Sequence, residues 1–372
     1  MSPLDIVIVV VAFVVIVVGA ELFTNGVEWL GVRLGMSEGA TGSILAAFGT
    51  ATPETMIPII AIVFTNTPDA DEIGVGAILG APFMLGTLVM LLIGATAFFM
   101  RKRRGRDTLH VDTPHALRDM SFFLVMYGLA VALALLPPPL HPVKAYVGWI
   151  FVPAYFLYLF LVLRTPKTTA VDVEEEAEGR EAFDDLTFAT YLARFGARVV
   201  PRDPALWLIL LQVIVSFAAI VLGARLFAAF VEDVSQAFGL NALLVSLILA
   251  PLATELPEAA NSLVWTRQGK DIIALGNVAG AMVFQSTIPV TVGVLLTAWD
   301  LGPSSAGWPF GLMTALFALL SGALIWVQLR TRAKDNALPL SALVLGGSLY
   351  VVFIAYTLWA VHTGGTSTLS LR

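Results

Sequence analysis

Gly49-Thr50-Ala51-Thr52-Pro53-Glu54 and Ala253-Thr254-Glu255-Leu256-Pro257-Glu258 decide the fold. Each stretch lies in the middle of a long apolar run. Each puts a proline and a carboxylate where an ordinary membrane-spanning helix has neither. Proline lacks an N–H and clashes with the preceding turn, so each helix is expected to break about four residues earlier. Carbonyls near Ala46 to Thr50, and near Ala250 to Thr254, then lose their helical donors. At that depth they must meet water, a polar side chain or a cation. A carboxylate at the bilayer centre costs at least about 3 kcal/mol on insertion scales. Freed carbonyls, threonine hydroxyls and two glutamates make a hard, anionic, oxygen-lined cage. Hard cations such as Ca²⁺ take about six to eight oxygens. Kinked helices with protonated, hydrogen-bonded glutamates would explain one such motif; two at matching places favour the cage.

The surroundings of both motifs are membrane-like. Of 372 residues, 58% are hydrophobic, 13% are charged and none is cysteine. Soluble domains carry about 25% charged residues. Apolar runs of about 20 residues, enough for a hydrocarbon core of roughly 30 Å, recur along the chain. The expected fold is an all-α polytopic membrane protein with ten transmembrane helices. They fall near residues 4–30, 38–64, 73–99, 116–136 and 143–163, then 205–231, 241–265, 272–298, 307–329 and 338–361. Nucleic-acid binding is excluded by the shortage of basic surface, and thiol or disulfide chemistry by the absence of Cys. The first run has no basic n-region, with Asp5 in its place, so it reads as a retained helix.

Basic residues follow the odd-numbered spans: Arg33; Arg101, Lys102, Arg103, Arg104 and Arg106; Arg164 and Lys167; Arg267 and Lys270; Arg330, Arg332 and Lys334. By the positive-inside rule these loops are cytoplasmic, and both termini face outside. The expected location is the plasma (inner) membrane. Residues 165–203 form an acidic cytoplasmic linker containing Glu174, Glu175, Glu176, Glu178, Glu181, Asp184 and Asp185. Its tail, from Leu186 to Val200, reads as an amphipathic surface helix.

The linker separates two five-helix repeats, residues 1–164 and 204–372. At an offset of 204, residues 19–54 and 223–258 share 13 identities in 36 positions. Thr50 pairs with Thr254, Pro53 with Pro257 and Glu54 with Glu258. Further on, at an offset of 200, Gly76, Gly80 and Ala81 pair with Gly276, Gly280 and Ala281. Five spans per half make the two halves enter the membrane from opposite sides. That inverted-topology repeat is the architecture of alternating-access transporters.

Thr-x-x-Pro-Glu in spans two and seven, followed by glycine-rich spans three and eight, resembles the calcium/cation antiporter superfamily, as in sodium/calcium exchangers. The resemblance covers essentially the whole chain. It implies ion binding between helices two, three, seven and eight, with the motif glutamates as principal Ca²⁺ ligands. These carry over to Glu54 and Glu258, and the preceding threonine to Thr50 and Thr254. The resemblance has departures. Serine follows the threonine in that family, where this chain has Ala51 and Glu255. The family's third and eighth helices carry Gly-Ser-Asn-x-x-Asn or -Asp. Here Gly80-Ala81-Pro82-Phe83-Met84-Leu85 keeps no polar side chain, and Gly280-Ala281-Met282-Val283-Phe284-Gln285 keeps Gln285 alone.

Glu255 stands three residues before Glu258, close to one helical face if the helix continues. Two carboxylates so near each other should not both ionise without a cation, so one is expected to hold a proton. Glu255 and Gln285 therefore join the candidate metal ligands. The leading expectation is a secondary antiporter exchanging a divalent cation, Ca²⁺ foremost, for Na⁺ or H⁺. Proton-coupled exchange of another cation, and a channel or ion sensor that has lost coupled exchange, stay open. An enzyme is not expected, because no catalytic constellation occurs. No cofactor is expected beyond the transported cations, and the partners are inorganic cations and the lipid bilayer.

Overall fold

The apolar runs become helices in a computed structural model, which describes residues 3–33, 52–65, 67–164, 186–194, 204–332 and 336–363. In chain order they are α1 (Pro3–Arg33), α2 (Thr52–Ile59), α3 (Ala70–Met84), α4 (Met90–Phe99), α5 (Arg101–Arg104), α6 (Thr113–Ala134), α7 (Pro142–Val147) and α8 (Phe151–Arg164). There follow α9 (Thr187–Arg194), α10 (Leu206–Phe238), α11 (Ala242–Thr254), α12 (Leu256–Gln268), α13 (Asp271–Gln285), α14 (Ile288–Leu296), α15 (Phe310–Thr331) and α16 (Leu340–His362). Two short strands, β1 (Thr108–His110) and β2 (Ala337–Pro339), pair antiparallel with Leu109 opposite Leu338. π-Helical turns extend α2 over Ile60–Phe64 and join α3 to α4 over Leu85–Val89.

Among the described residues, eight helical stretches are long and apolar enough to cross a bilayer. The pair α11 and α12, bent by 50°, makes a ninth if counted as one span. Of the remaining expected span, 38–64, only the part from Thr52 is described, and its apolar helix Glu54–Phe64 is short. Elsewhere the expected ends hold to within a few residues, except that α10 runs past 231 to Phe238. Nothing in Val231–Phe238 breaks a helix, and the chain turns only at Gly239, whose φ of +61° suits glycine. The amphipathic tail of the linker is helical as α9; residues 195–200 of that expectation lie outside the described residues.

Contacts divide the chain into two compact units, each drawing on both halves: residues 1–56 with 166–230, and residues 57–165 with 231–372. In the first unit, α1 and α10 cross at small residues. A Cβ on Gly19 would stand 3.0 Å from Ile220 Cγ1, 3.3 Å from Ser216 O and 3.4 Å from Ile220 N. A Cβ on Gly223 would stand 2.7 Å from Ile16 Cγ1, 3.0 Å from Ala12 O and 3.3 Å from Ile16 N. The offset of 204 turns each set of neighbours into the other, atom for atom. It also exchanges the two ring pairs, Phe13 with Phe227 at 5.4 Å and Phe23 with Phe217 at 6.2 Å. Close backbone approach at small residues is how helices associate where lipid removes the hydrophobic drive.

The same unit seats α9 by a buried amide pair. Gln212 Nε2 donates to Asn25 Oδ1 (2.8 Å) and Leu22 O (2.9 Å). The first two N–H groups of α9, which have no intrahelical acceptor, donate outward: Thr187 N to Asn25 Oδ1 at 3.1 Å and Phe188 N to Gln212 Oε1 at 2.8 Å. Leu186, Ala189, Leu208 and Ile209 bury themselves beside Trp29 and Phe188.

In the second unit α3 is the central helix, buried along its length from Ile73 to Met84. It packs on α11 with glycine against backbone. A Cβ on Gly76 would lie 2.5 Å from Leu243 O, and one on Gly80 would collide with Leu247 O and Pro251 Cγ. Ser246 Oγ adds a buried bond to Ile73 O at 2.6 Å. By contrast, Gly276 and Gly280 of α13 have no such neighbour among the described residues. Around α3, Ser321 of α15 donates to Gly86 O at 2.5 Å, and Phe83 packs between Tyr350 and Phe353 of α16.

Both ends of this unit are tied by polar groups. Lys144 is 5% exposed, and its Nζ donates to Ala298 O (3.1 Å) and Trp299 O (3.0 Å), so the buried ammonium is hydrogen-bonded. The indole of Trp299 donates to Ala130 O at 2.9 Å. At the end carrying the basic loops, Arg106 meets Asp271 at 2.8 Å, and His110 N donates to the same carboxylate oxygen at 3.0 Å. Asp271 opens α13, where the positive end of the helix dipole favours a carboxylate.

Candidate cation site

Span seven breaks at Glu255. α11 ends at Thr254, Glu255 takes φ −90° and ψ −5°, and α12 starts at Leu256 with Pro257 in its first turn. The break was expected about four residues before Pro257 but lies two before it. The reason is that Pro257 starts a new helix, where a missing N–H costs nothing, instead of kinking an old one. Carbonyls near the break also keep more partners than expected. Glu255 N donates to Pro251 O at 2.8 Å, and Ala259 N donates to Glu255 O at 2.9 Å. Ala253 O is the carbonyl whose i+4 donor is lost, because residue 257 is proline.

Glu255 is fully buried. Its Oε1 accepts from Thr254 Oγ1 at 3.2 Å and from Gln285 Nε2 at 3.3 Å. Its Oε2 is buried with no hydrogen-bond donor among the described residues, and so are Glu258 Oε2 and Gln285 Oε1. The sequence motif and the bend thus bring Thr254, Glu255, Glu258 and Gln285 into one unit, with three oxygens left over. Leaving a buried oxygen without a partner costs about 1–3 kcal/mol, more when it is charged. Three such oxygens, two of them carboxylate, fit a hard cation better than any neutral ligand.

Gln285 owes its position to a second break. α13 stops there because Ser286 Oγ donates back to Val283 O (2.7 Å) and Thr287 Oγ1 to Val283 O (3.1 Å), while Pro289 starts α14. The offset of 200 carries this break onto the π-helical turn Leu85–Val89, where Thr87 Oγ1 donates to Phe83 O at 2.5 Å. Both helices are interrupted at the same level, but Leu85 stands where Gln285 stands.

Glu54 is buried, 6% exposed, in the first turn of α2. It is the third residue of its helix, as Glu258 is of α12, so both carboxylates sit at the positive end of a helix dipole. Thr50, the remaining expected ligand, lies outside the described residues. Of the polar residues nearby in sequence, Ser286 and Thr287 bond locally, Asn261 is exposed, and Asn277 donates to Ser262 Oγ at 3.1 Å. Ser262 escaped the sequence reading. Its signal was its place one turn after Glu258 on the same face.

Similarity to known proteins runs the length of the chain. A family model described as sodium/calcium exchanger protein matches residues 4–164 and 208–361. The chain is 25% identical over 323 residues to the putative antiporter CaxA of Alkalimonas amylolytica, covering 87% of this chain and 90% of that one. It is 22% identical over 352 residues to the inner membrane protein YrbG of Escherichia coli, covering 95% and 96%. Among solved structures it resembles the crystal structure of the H⁺/Ca²⁺ exchanger CAX, with a TM-score of 0.61 and 15% identity over 100% of this chain and 87% of that one. It also resembles the sodium-calcium exchanger NCX_Mj, with a TM-score of 0.51 and 16% identity over 95% and 99%. At these identities the solved structures speak for the fold.

Proposed function

Because the chain belongs to the sodium/calcium exchanger protein family, we propose that it is a secondary antiporter exchanging a divalent cation, Ca²⁺ foremost, for Na⁺ or H⁺ by alternating access. The family and the apolar helices make it an integral membrane transporter of inorganic cations. The observation that carries the finer reading is the set of buried oxygens on Glu255, Glu258 and Gln285 that have no donor among the described residues.

In this reading Glu54 and Glu258, one from each half, are the principal ligands, with Thr50, Thr254, Glu255 and Gln285 completing the shell. A divalent cation neutralises the carboxylates; when it leaves, Na⁺ or a proton must take its place, because bare buried charge is too costly. That competition couples the two fluxes. The inverted repeat is supported by the reciprocal contacts of Gly19 and Gly223 and by helix starts at Thr52 and Leu256, 204 residues apart. Alternation would come from α1 and α10 moving as a pair joined at their glycine crossing. Both termini would face outside and the acidic linker the cytoplasm, as the basic loops require.

Proton coupling has one specific observation in its favour. Glu255 adds a second carboxylate beside Glu258 in the second half, where the resembling exchangers carry serine. Flux in sealed liposomes decides between these readings. Ca²⁺ uptake is expected to need a counter-ion on the opposite side, and replacing a Na⁺ gradient by a pH gradient identifies it. Uptake that follows voltage alone would make the protein a channel. Glu54→Gln and Glu258→Gln are each expected to insert normally and to abolish exchange; wild-type flux in either variant would remove that residue from the site.

A further inference from the structure

We propose that Glu255 is a positioning residue for Gln285, and that this pair hands the cation a neutral amide oxygen from the second half of the chain alone. The proposal rests on the cation site described above. An amide side chain has one donor end and one acceptor end, and a carboxylate can only accept when ionised. Glu255 Oε1 takes Gln285 Nε2 at 3.3 Å, which turns Gln285 Oε1 away from Glu255. That oxygen is buried and has no donor among the described residues, while Gln285 as a whole is 1% exposed. Thr254 Oγ1, bonded to the same Oε1 at 3.2 Å, fixes the carboxylate from the other side. Glu255 therefore has two duties divided between two atoms: Oε1 orients the amide, and Oε2 stays available to the cation.

The two residues also come and go together. The repeat offsets of 204 and 200 place Ala51 opposite Glu255 and Leu85 opposite Gln285. Leu85 is fully buried and brings no oxygen. An orienting carboxylate without its amide would add uncompensated charge, and an amide without its orienter could present either end. A partnership predicts the observed pattern, in which one half has both and the other has neither. The resulting site has its amide ligand and its third carboxylate on one side, so the two halves contribute unequal chemistry to one cation.

A double-mutant cycle on the purified full-length chain tests this, with CaCl₂ as the probe and the Ca²⁺-dependent melting shift as the readout. Gln285→Leu in the wild-type background is expected to weaken Ca²⁺ binding about 10- to 100-fold, the usual effect of losing an oriented ligand or its support. In a Glu255→Ala background, Gln285→Leu is expected to cost less than about threefold further, because the amide is no longer aimed. Glu255→Gln, which keeps a carbonyl oxygen for Gln285 Nε2, should restore most of the Gln285→Leu penalty while lowering overall affinity. Equal penalties for Gln285→Leu in all three backgrounds would overturn the proposal. Unchanged Ca²⁺ binding in Gln285→Leu would overturn it too. A wild-type protein without any Ca²⁺ shift would instead remove the underlying cation site. Melting without Ca²⁺ screens out variants that fail to fold, and Gln285→Met, close in shape but without the amide, replaces Gln285→Leu if that variant is lost.

Discussion

Gly80→Ala carries the sharpest stability prediction. The added methyl would fall against Leu247 O and Pro251 Cγ, well inside the distance that real Cβ atoms keep. Neither neighbour can rotate away, since one is helix backbone and the other a ring built into the helix. Relief requires α3 and α11 to separate by roughly 1 Å, and overpacking on that scale costs about 1–3 kcal/mol. Dispersion contacts along the seam are lost as well, because a gap of 0.5–1 Å forfeits roughly a quarter to a half of each. The cost is not confined to the seam. α11 ends at Thr254, so its displacement moves Glu255 against Gln285 on α13, whose 3.3 Å bond has no slack. Gly80→Ala should therefore melt several degrees below wild type in detergent and also show a smaller Ca²⁺-dependent shift. Gly128→Ala is the matched control. It lies within α6 with no atom of the described residues within 4 Å of its Cβ position, so it should be neutral or slightly stabilising through helix propensity. If Gly80→Ala melted with Gly128→Ala and kept the full Ca²⁺ shift, the backbone-to-backbone seam and its link to Glu255 would both be wrong.

Other outcomes follow from single contacts. Asp271→Ala removes the shared acceptor of Arg106 and His110 N, and should destabilise the protein by about 2 kcal/mol, read as a lower melting temperature. Trp299→Phe keeps the ring but loses the bond to Ala130 O, at about 1 kcal/mol on the same assay. Ca²⁺ affinity should fall as pH is lowered, since protons compete for Glu255 and Glu258, and a melting shift that grew on acidification would contradict carboxylate ligands. Asn25→Ala, which takes the acceptor from Thr187 and Gln212, should expose α9 to protease before the rest of the chain is cut.

Local signals in the sequence carried most of the helices and part of the site. Span ends were legible because apolar runs stop at charge, Gly or Pro. The break in span seven was legible because Pro257 and Glu258 are so rarely found mid-span. Its placement at Glu255 was not, since a proline gives the same signal whether it kinks a helix or starts one. Gln285 could be named as the one polar side chain kept in the glycine-rich segment of span eight, but its bond to Glu255 joins residues 30 apart in sequence and depends on the bend between them. Still less legible were the Arg106–Asp271 pair and the bonds of Lys144 to Ala298 and Trp299, which join residues more than 150 apart. The glycine pairs show the limit of pattern matching: Gly76 and Gly80 are crossed by backbone, while the identical spacing at Gly276 and Gly280 has no such neighbour among the described residues.

The two partners in the crossing of α1 and α10 use the same atoms in exchanged roles, so one short peptide segment, present twice and running in opposite directions, is enough to specify the whole joint. Two copies of such a segment, meeting antiparallel, close the joint with each glycine facing the other copy's isoleucine.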